Sequence, residues 1–459
     1  MFKASEIAKI TSGKFLKFGE ASISSISIDT RTLKKGALFI AIKGERLDGH
    51  NFIKEAVKKG ACAILVNGAY KCVEDIKLPV IRVRDTVRAL GNIARAWRDK
   101  FEVKIVAVTG YNGKTTTKDL IAHILSSKYK VLKNPNTENN HIGVPLALLR
   151  LDKHHEIAVL ELGSNHFGEI NYLAGIVGPD VGIITNIGES HLEHFLNKNG
   201  VYSEKTQLLE NLNDRGIILV NRDDKFLGPK LALRPFYNGN IVLSFGLNSQ
   251  SDFMASDISF NGVVLNFRQK NELFSLRTFA RHNIYNGLAA ISCAKILGLR
   301  SAQIKTALKT FDFPKGRFNL ERFDNVKLID DSYNANPLSL SCAIDAFKDF
   351  PCMGRKIMVL ADMLELGKKE RFFHEEAGRL VRRSPVDILV CIGKRARHAA
   401  RAAILSGLEK KNCFSCRDNQ EARIILNKIL SSGDVALFKG SRAMRLEGLI
   451  KNLKEDYNK

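Results

Sequence analysis

The stretch Thr109-Gly110-Tyr111-Asn112-Gly113-Lys114-Thr115-Thr116 has the residue types and spacing that most directly imply chemistry. It follows the apolar run VKIVAV and opens a helical pattern. Consecutive backbone N–H groups in such a loop make a concave anion site, and the positive end of the following helix adds to it. Gly110, Asn112, Gly113 and Thr116 would shape that nest. Lys114 would reach the outer phosphates of a nucleotide, and Thr115 would offer its hydroxyl to Mg²⁺. The usual pattern places a glycine five residues before the glycine of the Gly-Lys pair, where this chain has Val108. The loop is therefore a shortened relative of the standard one.

Two further residues fall where such folds bind ligands. Glu161 ends the apolar strand pattern IAVLE, and His191 lies in the loop after IITNIG. Both would sit at the carboxyl edge of a parallel sheet beside the phosphate loop, as metal ligands. The alternatives are a helix-capping or surface carboxylate and an exposed loop histidine. Asn136-Thr137-Glu138-Asn139-Asn140-His141-Ile142-Gly143 has turn chemistry and alone would not be a site. Asp330 and Asp331 end the run VKLI; they would meet ribose hydroxyls or a metal, or cap the next helix.

The elements that must position these groups follow from the pattern along the chain. Its 459 residues suggest three domains, at about 150 residues each. With 45% hydrophobic and 26% charged residues, disorder and fibrous classes are excluded. No apolar run is long enough to span a bilayer, and MFKASEIAKI lacks the apolar core of a secretion signal. The eight cysteines are scattered, which fits a reduced, cytoplasmic setting. Cys413-Phe-Ser-Cys416 has no partner pair and reads as two incidental thiols. Against 48 Asp and Glu stand 71 Lys and Arg, a net charge of +23 that favours anionic partners without choosing among them.

Residues 1–100 read as a mixed α/β domain, with strand patterns in SISSISIDT, ALFIAI and CAILV and a helix in VRALGNIARAWRDKF. Residues 101–316 read as a central P-loop-type ATPase domain. Its continuous apolar strands VKIVAVTG, IAVLELG and VGIITNIG, separated by helical patterns, imply a mostly parallel sheet. RHNIYNGLAAISCAKILGL is a strong helix there, and Phe313-Pro314-Lys315-Gly316 marks the boundary. Residues 317–459 read as a Rossmann-like domain with strands in VKLIDDS, KIMVLADM, DILVCIG and DVALFKGS. The whole is an α/β protein of three domains.

TGYNGKTT, NNHIGVP, ELGSNHFGEI, TNIGESHLEHF and HNIYN, in that order, resemble the Mur ligase family of ATP-dependent amide-bond ligases of peptidoglycan precursor synthesis. IDDSYNANPLS, VLADMLELG and FKGSRAMRLE resemble the branch that joins D-alanyl-D-alanine to UDP-N-acetylmuramoyl-tripeptide. The branch that adds the third amino acid usually carries a DNPR motif, which does not occur here. SIDTRTLKKGALFIAIKGERLDGHNF resembles the uridine-nucleotide domain of both branches.

The resemblance implies the following roles. Lys114 and Thr115 handle the ATP phosphates and Mg²⁺, with two metal ions held by Thr115, Glu161 and His191. Asn140, His282, Asn283, Asn286 and Asn336 bind the nucleotide, the middle three bordering adenine. Asp331 approaches the ribose and Arg317 the terminal phosphate. Asp29, Arg31, Lys43, Asp48 and His50 lie at the UDP-sugar end. Lys205 matches a lysine that the family carbamylates to assist Mg²⁺; the family often shows Ala-Lys-x-Glu, where this chain has Glu204-Lys205-Thr206-Gln207. Lys114, Lys205, Arg317 and His191 make up the expected catalytic set. A monomer without nucleic acid or membrane partners is implied. The competing readings are the third-residue ligase and, prompted by +23, a nucleic-acid-binding NTPase, although no aromatic-basic stacking patch is present.

Overall fold

The computed structural model describes residues 1–70, 75–135, 137–189, 192–248, 250–261, 264–323 and 325–457. Three main sheets follow one another along the chain, of five, ten and six strands. In the first, Ser25–Ser27, Ala37–Ile40, Ala63–Asn67 and Val80–Val83 run parallel. Lys14–Lys17 closes one edge antiparallel. SISSISIDT is two strands, not one. Ser22–Ile23 pairs with Phe2–Lys3, whereas Ser25–Ser27 pairs with Ala37–Phe39. Ser24 makes the break by donating both its N–H and its hydroxyl to Gly36 O.

The helix Thr86–Arg98 leads out of this region. Asp85 caps it, accepting from Val87 N and Arg88 N at 2.8 and 3.1 Å. Its far end is tied to the next domain: Trp97 Nε1 donates to Leu151 O at 3.0 Å, and Arg98 to Val177 O and Gly178 O at 2.8 and 2.7 Å.

The central sheet has six parallel strands in the order Val131–Lys133, Ile157–Glu161, Lys104–Thr109, Val181–Ile184, Ile217–Asn221, Asn240–Gly246. Its first strand in the chain, Lys104–Thr109, lies inside, and the chain winds to both sides of it. That makes the carboxyl end of Lys104–Thr109 a topological switch point, where a crevice opens between covering layers. The helices Lys114–Leu125 and Asn283–Ile296 pack one face; Gly143–Leu148, Glu169–Val177 and Lys198–Thr206 pack the other. Phe253–Phe260, Leu265–Gln269 and Glu272–Leu276 extend the sheet as an antiparallel ribbon.

In the last sheet Val326–Asp330, Val435–Lys439, Lys356–Ala361, Ile388–Ile392 and Cys413–Cys416 run parallel, with Asn319–Phe323 antiparallel at one edge. Cys413 and Cys416 sit on an edge strand at a spacing of three, which points them to opposite faces. Cys416 joins one core cluster and Cys413 packs against the other, and burial pushes both thiols up to about 11. They share no site. Among the described residues no helix is long and apolar enough to cross a membrane.

Candidate active site

The phosphate loop is pinned by close backbone approach. Gly110 has φ +139°, and a Cβ there would lie 2.1 Å from Thr185 Oγ1. Gly113 has φ +81°, and its Cβ would lie 2.3 Å from Asn286 Oδ1. Only glycine fits both places. Tyr111 N donates to Asn186 O and Asn112 N to Asn186 Oδ1, each at 2.9 Å. Asn186 Nδ2 and Thr185 Oγ1 donate back to Asn112 O at 3.1 and 2.7 Å. The anion-facing donors are therefore those of the helix start, Lys114 to Thr116, which have no partner within the helix. Lys114 Nζ folds back onto Gly110 O and Tyr111 O at 3.1 and 2.9 Å. Burial holds its pKa below the usual lysine value; Glu161 opposes that shift and Arg317 adds to it.

Beside the loop, Glu161 is 1% exposed and aims both carboxylate oxygens at neutral donors. Oε2 accepts from Thr115 Oγ1 at 2.7 Å and Oε1 from Asn139 Nδ2 at 2.6 Å. A carboxylate and a hydroxyl in contact are hard oxygen donors of the kind Mg²⁺ takes. His191 lies outside the described residues. Asn140 is not in the cleft: its Oδ1 accepts from Ile142 N and Gly143 N at 3.0 and 2.9 Å, a cap for the next helix. The adjacent Asn139 faces the cleft in its place. Sequence alone does not choose between two neighbouring asparagines in a turn.

Lys205 is 2% exposed and donates to Ser164 Oγ at 2.8 Å. Burial pulls its pKa down to about 7, with Lys114 adding to the shift and Glu204 opposing it. Glu204 is committed elsewhere: it accepts from Gly168 N and Ile170 N at 2.7 and 2.8 Å, at the start of the helix Glu169–Val177.

A cavity of about 270 Å³ opens behind the loop, lined by His282, Asn283, Asn286, Asp331 and Lys439 among others. Asn286 Nδ2 donates to Asn283 Oδ1 at 2.8 Å, and Thr117 Oγ1 to Asn286 Oδ1 at 3.2 Å. His282 Nδ1 is buried with no hydrogen-bond partner among the described residues. Burial, then Lys439 and Arg317, press the His282 pKa down to about 4, so the ring is neutral near pH 7. Asp331 reaches this cavity, but its Oδ2 already accepts from Lys439 Nζ at 2.6 Å. Burial raises the Asp331 pKa, against the pull of Lys439.

The C-terminal domain closes the front. Arg317 lines both this cavity and a cleft of about 520 Å³ over the loop. Its guanidinium lies 4.1 Å from the centre of the Tyr333 ring, and Tyr333 OH donates to Thr137 Oγ1 at 2.7 Å. Asn336 and Asn112 exchange amide hydrogen bonds at 2.9 and 3.2 Å. Asn336 also caps the helix Pro337–Asp349 through Ser339 N. Tyr333, Thr137, Ser164, Lys439 and Arg442 were not singled out from the sequence. A lysine ending the apolar strand VALFK was the one usable signal, since a charge there needs a buried partner.

The five residues expected at the UDP-sugar end do not line this cleft; they lie in the turns that follow Ser25–Ser27 and Ala37–Ile40 of the first domain. Arg31 holds Asp29 through Nε at 3.0 Å and Nη2 at 2.7 Å, keeping the Asp29 pKa down at about 2. Lys43 and Asp48 form a bridge across a turn. Asp48 Oδ1 faces His50 Nδ1 at 2.6 Å, and Asn67 N donates to His50 Nε2 at 3.2 Å. Nε2 thus carries the lone pair and Nδ1 the proton.

Comparison with known proteins matches three family models in order: "Mur ligase family, catalytic domain" over residues 22–98, "Mur ligase middle domain" over 108–294, and "Mur ligase, glutamate ligase domain" over 316–442. The UDP-N-acetylmuramoyl-tripeptide–D-alanyl-D-alanine ligase of Bacillus subtilis is 33% identical, covering 96% of this chain and 95% of that protein. A crystal structure of MurF from Acinetobacter baumannii superposes with a TM-score of 0.88 at 31% identity, covering 98% of each chain. The MurF ligase of Thermotoga maritima, solved in complex with ADP, gives 0.83 at 28% identity over 95% of this chain and 98% of that one. The chain belongs to the Mur ligase family.

Proposed function

We propose that this member of the Mur ligase family is an ATP-dependent amide-bond ligase that joins D-alanyl-D-alanine to UDP-N-acetylmuramoyl-tripeptide, in cytoplasmic peptidoglycan precursor synthesis. The observation that carries the reading is the meeting in one cleft of the phosphate loop, Glu161 and Lys205 with Arg317, Asn336 and Arg442 of the C-terminal half. Relatives of matching length and the same name support the choice of substrates.

A carboxylate and an amine do not condense in water unaided. The terminal carboxylate of the tripeptide attacks the γ-phosphorus of ATP, giving an acyl phosphate and ADP. The amine of the dipeptide then attacks the acyl carbon, and inorganic phosphate leaves with the C–O electron pair. The protein's share of such chemistry is positioning and charge neutralisation. The helix start at Lys114–Thr116 cradles phosphate oxygens. Lys114 leaves its carbonyl contacts for the β- and γ-phosphates, and Arg317 faces the transferring group. His282, Asn283 and Asn286 border adenine, with Asp331 near the ribose. Thr115 and Glu161 would hold Mg²⁺, which supplies neutralising charge to the phosphates. In this reading residues 1–100 take the UDP-sugar, 101–316 the ATP and 317–459 the dipeptide.

Lys205 carries a finer part of the proposal. An amine reacts with CO₂ only when neutral, and a buried lysine with a pKa near 7 is about half neutral at ordinary pH. Its carbamate would add an oxygen ligand for a second Mg²⁺.

The test is phosphate release from ATP, Mg²⁺ and UDP-N-acetylmuramoyl-tripeptide with and without D-alanyl-D-alanine. Release that requires the dipeptide, with a pentapeptide product by mass, is expected. Turnover only with UDP-N-acetylmuramoyl-dipeptide and a free diamino acid would move the chain to the neighbouring branch.

A further inference from the structure

Lys118 is completely buried, and no step above uses it. A buried ammonium is costly unless it is paired, and Lys118 Nζ lies 3.4 Å from Asp119 Oδ1. It lies on the phosphate-loop helix one turn beyond Thr115, and its Nζ donates to Asn134 O at 2.9 Å. Asn134 is also completely buried. It follows Val131–Lys133, which pairs with Ile157–Val159 and then stops, because Pro135 carries no N–H to continue a ladder.

Beyond that point the Asn134 side chain takes the place of a strand. Its Oδ1 accepts from Glu161 N at 2.9 Å, and its Nδ2 donates to Glu161 O at 3.1 Å and to Glu138 O at 2.9 Å. The amide is fully used. The contacts close a ring: Glu161 backbone to Asn134, Asn134 to Lys118, along the helix to Thr115, and Thr115 Oγ1 back to the Glu161 carboxylate.

We propose that Lys118 and Asn134 are positioning residues for the Glu161–Thr115 pair, setting the separation of its two oxygens and hence the affinity of the site for a divalent cation. Neither side chain lines the cleft or the nucleoside cavity. The proposal rests on the reading of Glu161 and Thr115 as metal-binding, so the test must tell the two apart.

Mn²⁺ binding to the full-length enzyme with ADP, read from the EPR signal of free Mn²⁺, does so. Asn134→Leu and Lys118→Met are each expected to weaken Mn²⁺ about 10–100-fold, the usual cost of losing an outer-shell partner of a metal ligand. ADP affinity measured in EDTA stays unchanged, and the Mg²⁺ requirement for turnover rises while kcat recovers at saturating Mg²⁺. Asn134→Asp keeps the acceptor for Glu161 N and loses the donor. It is expected to weaken Mn²⁺ by less, and it carries the test if the leucine variant does not fold. Mn²⁺ affinities within twofold of the parent in these variants, while Glu161→Gln loses Mn²⁺, would overturn the positioning role. An unchanged affinity in Glu161→Gln would remove the metal reading itself.

Discussion

The phosphate-loop cleft and the turns of the first domain hold their polar residues in opposite ways. In the cleft, partners come from far apart in the chain: Asn112 with Asn336, Thr137 with Tyr333, Asp331 with Lys439. They are half-buried or buried, and they tie together segments distant in the sequence. In the turns of the first domain Asp29 meets Arg31 and Asp48 meets His50, each two residues on, and the Arg31 side chain is 85% exposed. On the proposed reading, long-range packing therefore sets the geometry at the reacting end, where small displacements cost rate. The end that takes the UDP-sugar, on the same reading, is held by pairs that are local in sequence, with Arg31 exposed and His50 largely buried.

That contrast can be broken most sharply at Lys114. Lys114→Ala is expected to lower ADP formation by ~10³-fold or more, since it removes charge from the transferring group. UDP-substrate binding, measured by calorimetry, should be nearly unchanged. Loss of that binding in a folded variant would mean the two regions are not separate.

Lys205 comes next. Lys205→Ala should lose ~10²-fold or more in turnover, with partial recovery on adding short carboxylates that replace a carbamate oxygen. Full activity in the bare variant would end the carbamate idea. Stability should move the other way. With the folded pKa pulled down to about 7, the unfolded chain binds a proton between that value and the normal lysine range that the folded chain does not, so the fold is penalised increasingly as pH falls through that window. Lys205→Met should therefore raise Tm by a few degrees near pH 7 and by less near pH 10. A gain independent of pH would refute the charge-burial account.

The amide pair gives a subtler test. Asn112→Leu and Asn336→Leu should each weaken ADP binding about tenfold, and the double variant little further, a coupling of about 1 kcal/mol. Full additivity would show that the two asparagines act independently. The smallest effect is expected at Arg31. Arg31→Ala should leave stability almost unchanged, as with most exposed ion pairs, and raise KM for the UDP-substrate with little change in kcat.

How far the molecule was legible follows from the same contrast. The phosphate loop is continuous in sequence, and strand, glycines and helix announce it together. Four of the six strands of the last sheet are apolar runs and stand out for the same reason; the edge strands Asn319–Phe323 and Cys413–Cys416 are not and do not. The ribbon 253–276 does not, because FMASDISF exposes one face and mixes polar residues into the pattern. Edge strands such as Lys14–Lys17 are short and half-buried and gave no signal. In the site, residue types were readable but partners were not. Tyr333 and Thr137 are joined only by the packing of separate domains, and Lys439 and Asp331 only by the pairing of two strands far apart in sequence. Nothing in the turn near Asn136 said that Asn139, and not Asn140, faces inward.

The nucleoside cavity draws its walls from Asn112 near the first quarter of the chain to Lys439 close to its end. On the proposed reading of this cavity, ATP has no complete place to bind during synthesis on a ribosome until almost the whole polypeptide has emerged. A chain stopped before Lys439 should fold its first two sheets yet retain no nucleotide in equilibrium dialysis. Release of the finished chain and acquisition of nucleotide are then close to one event.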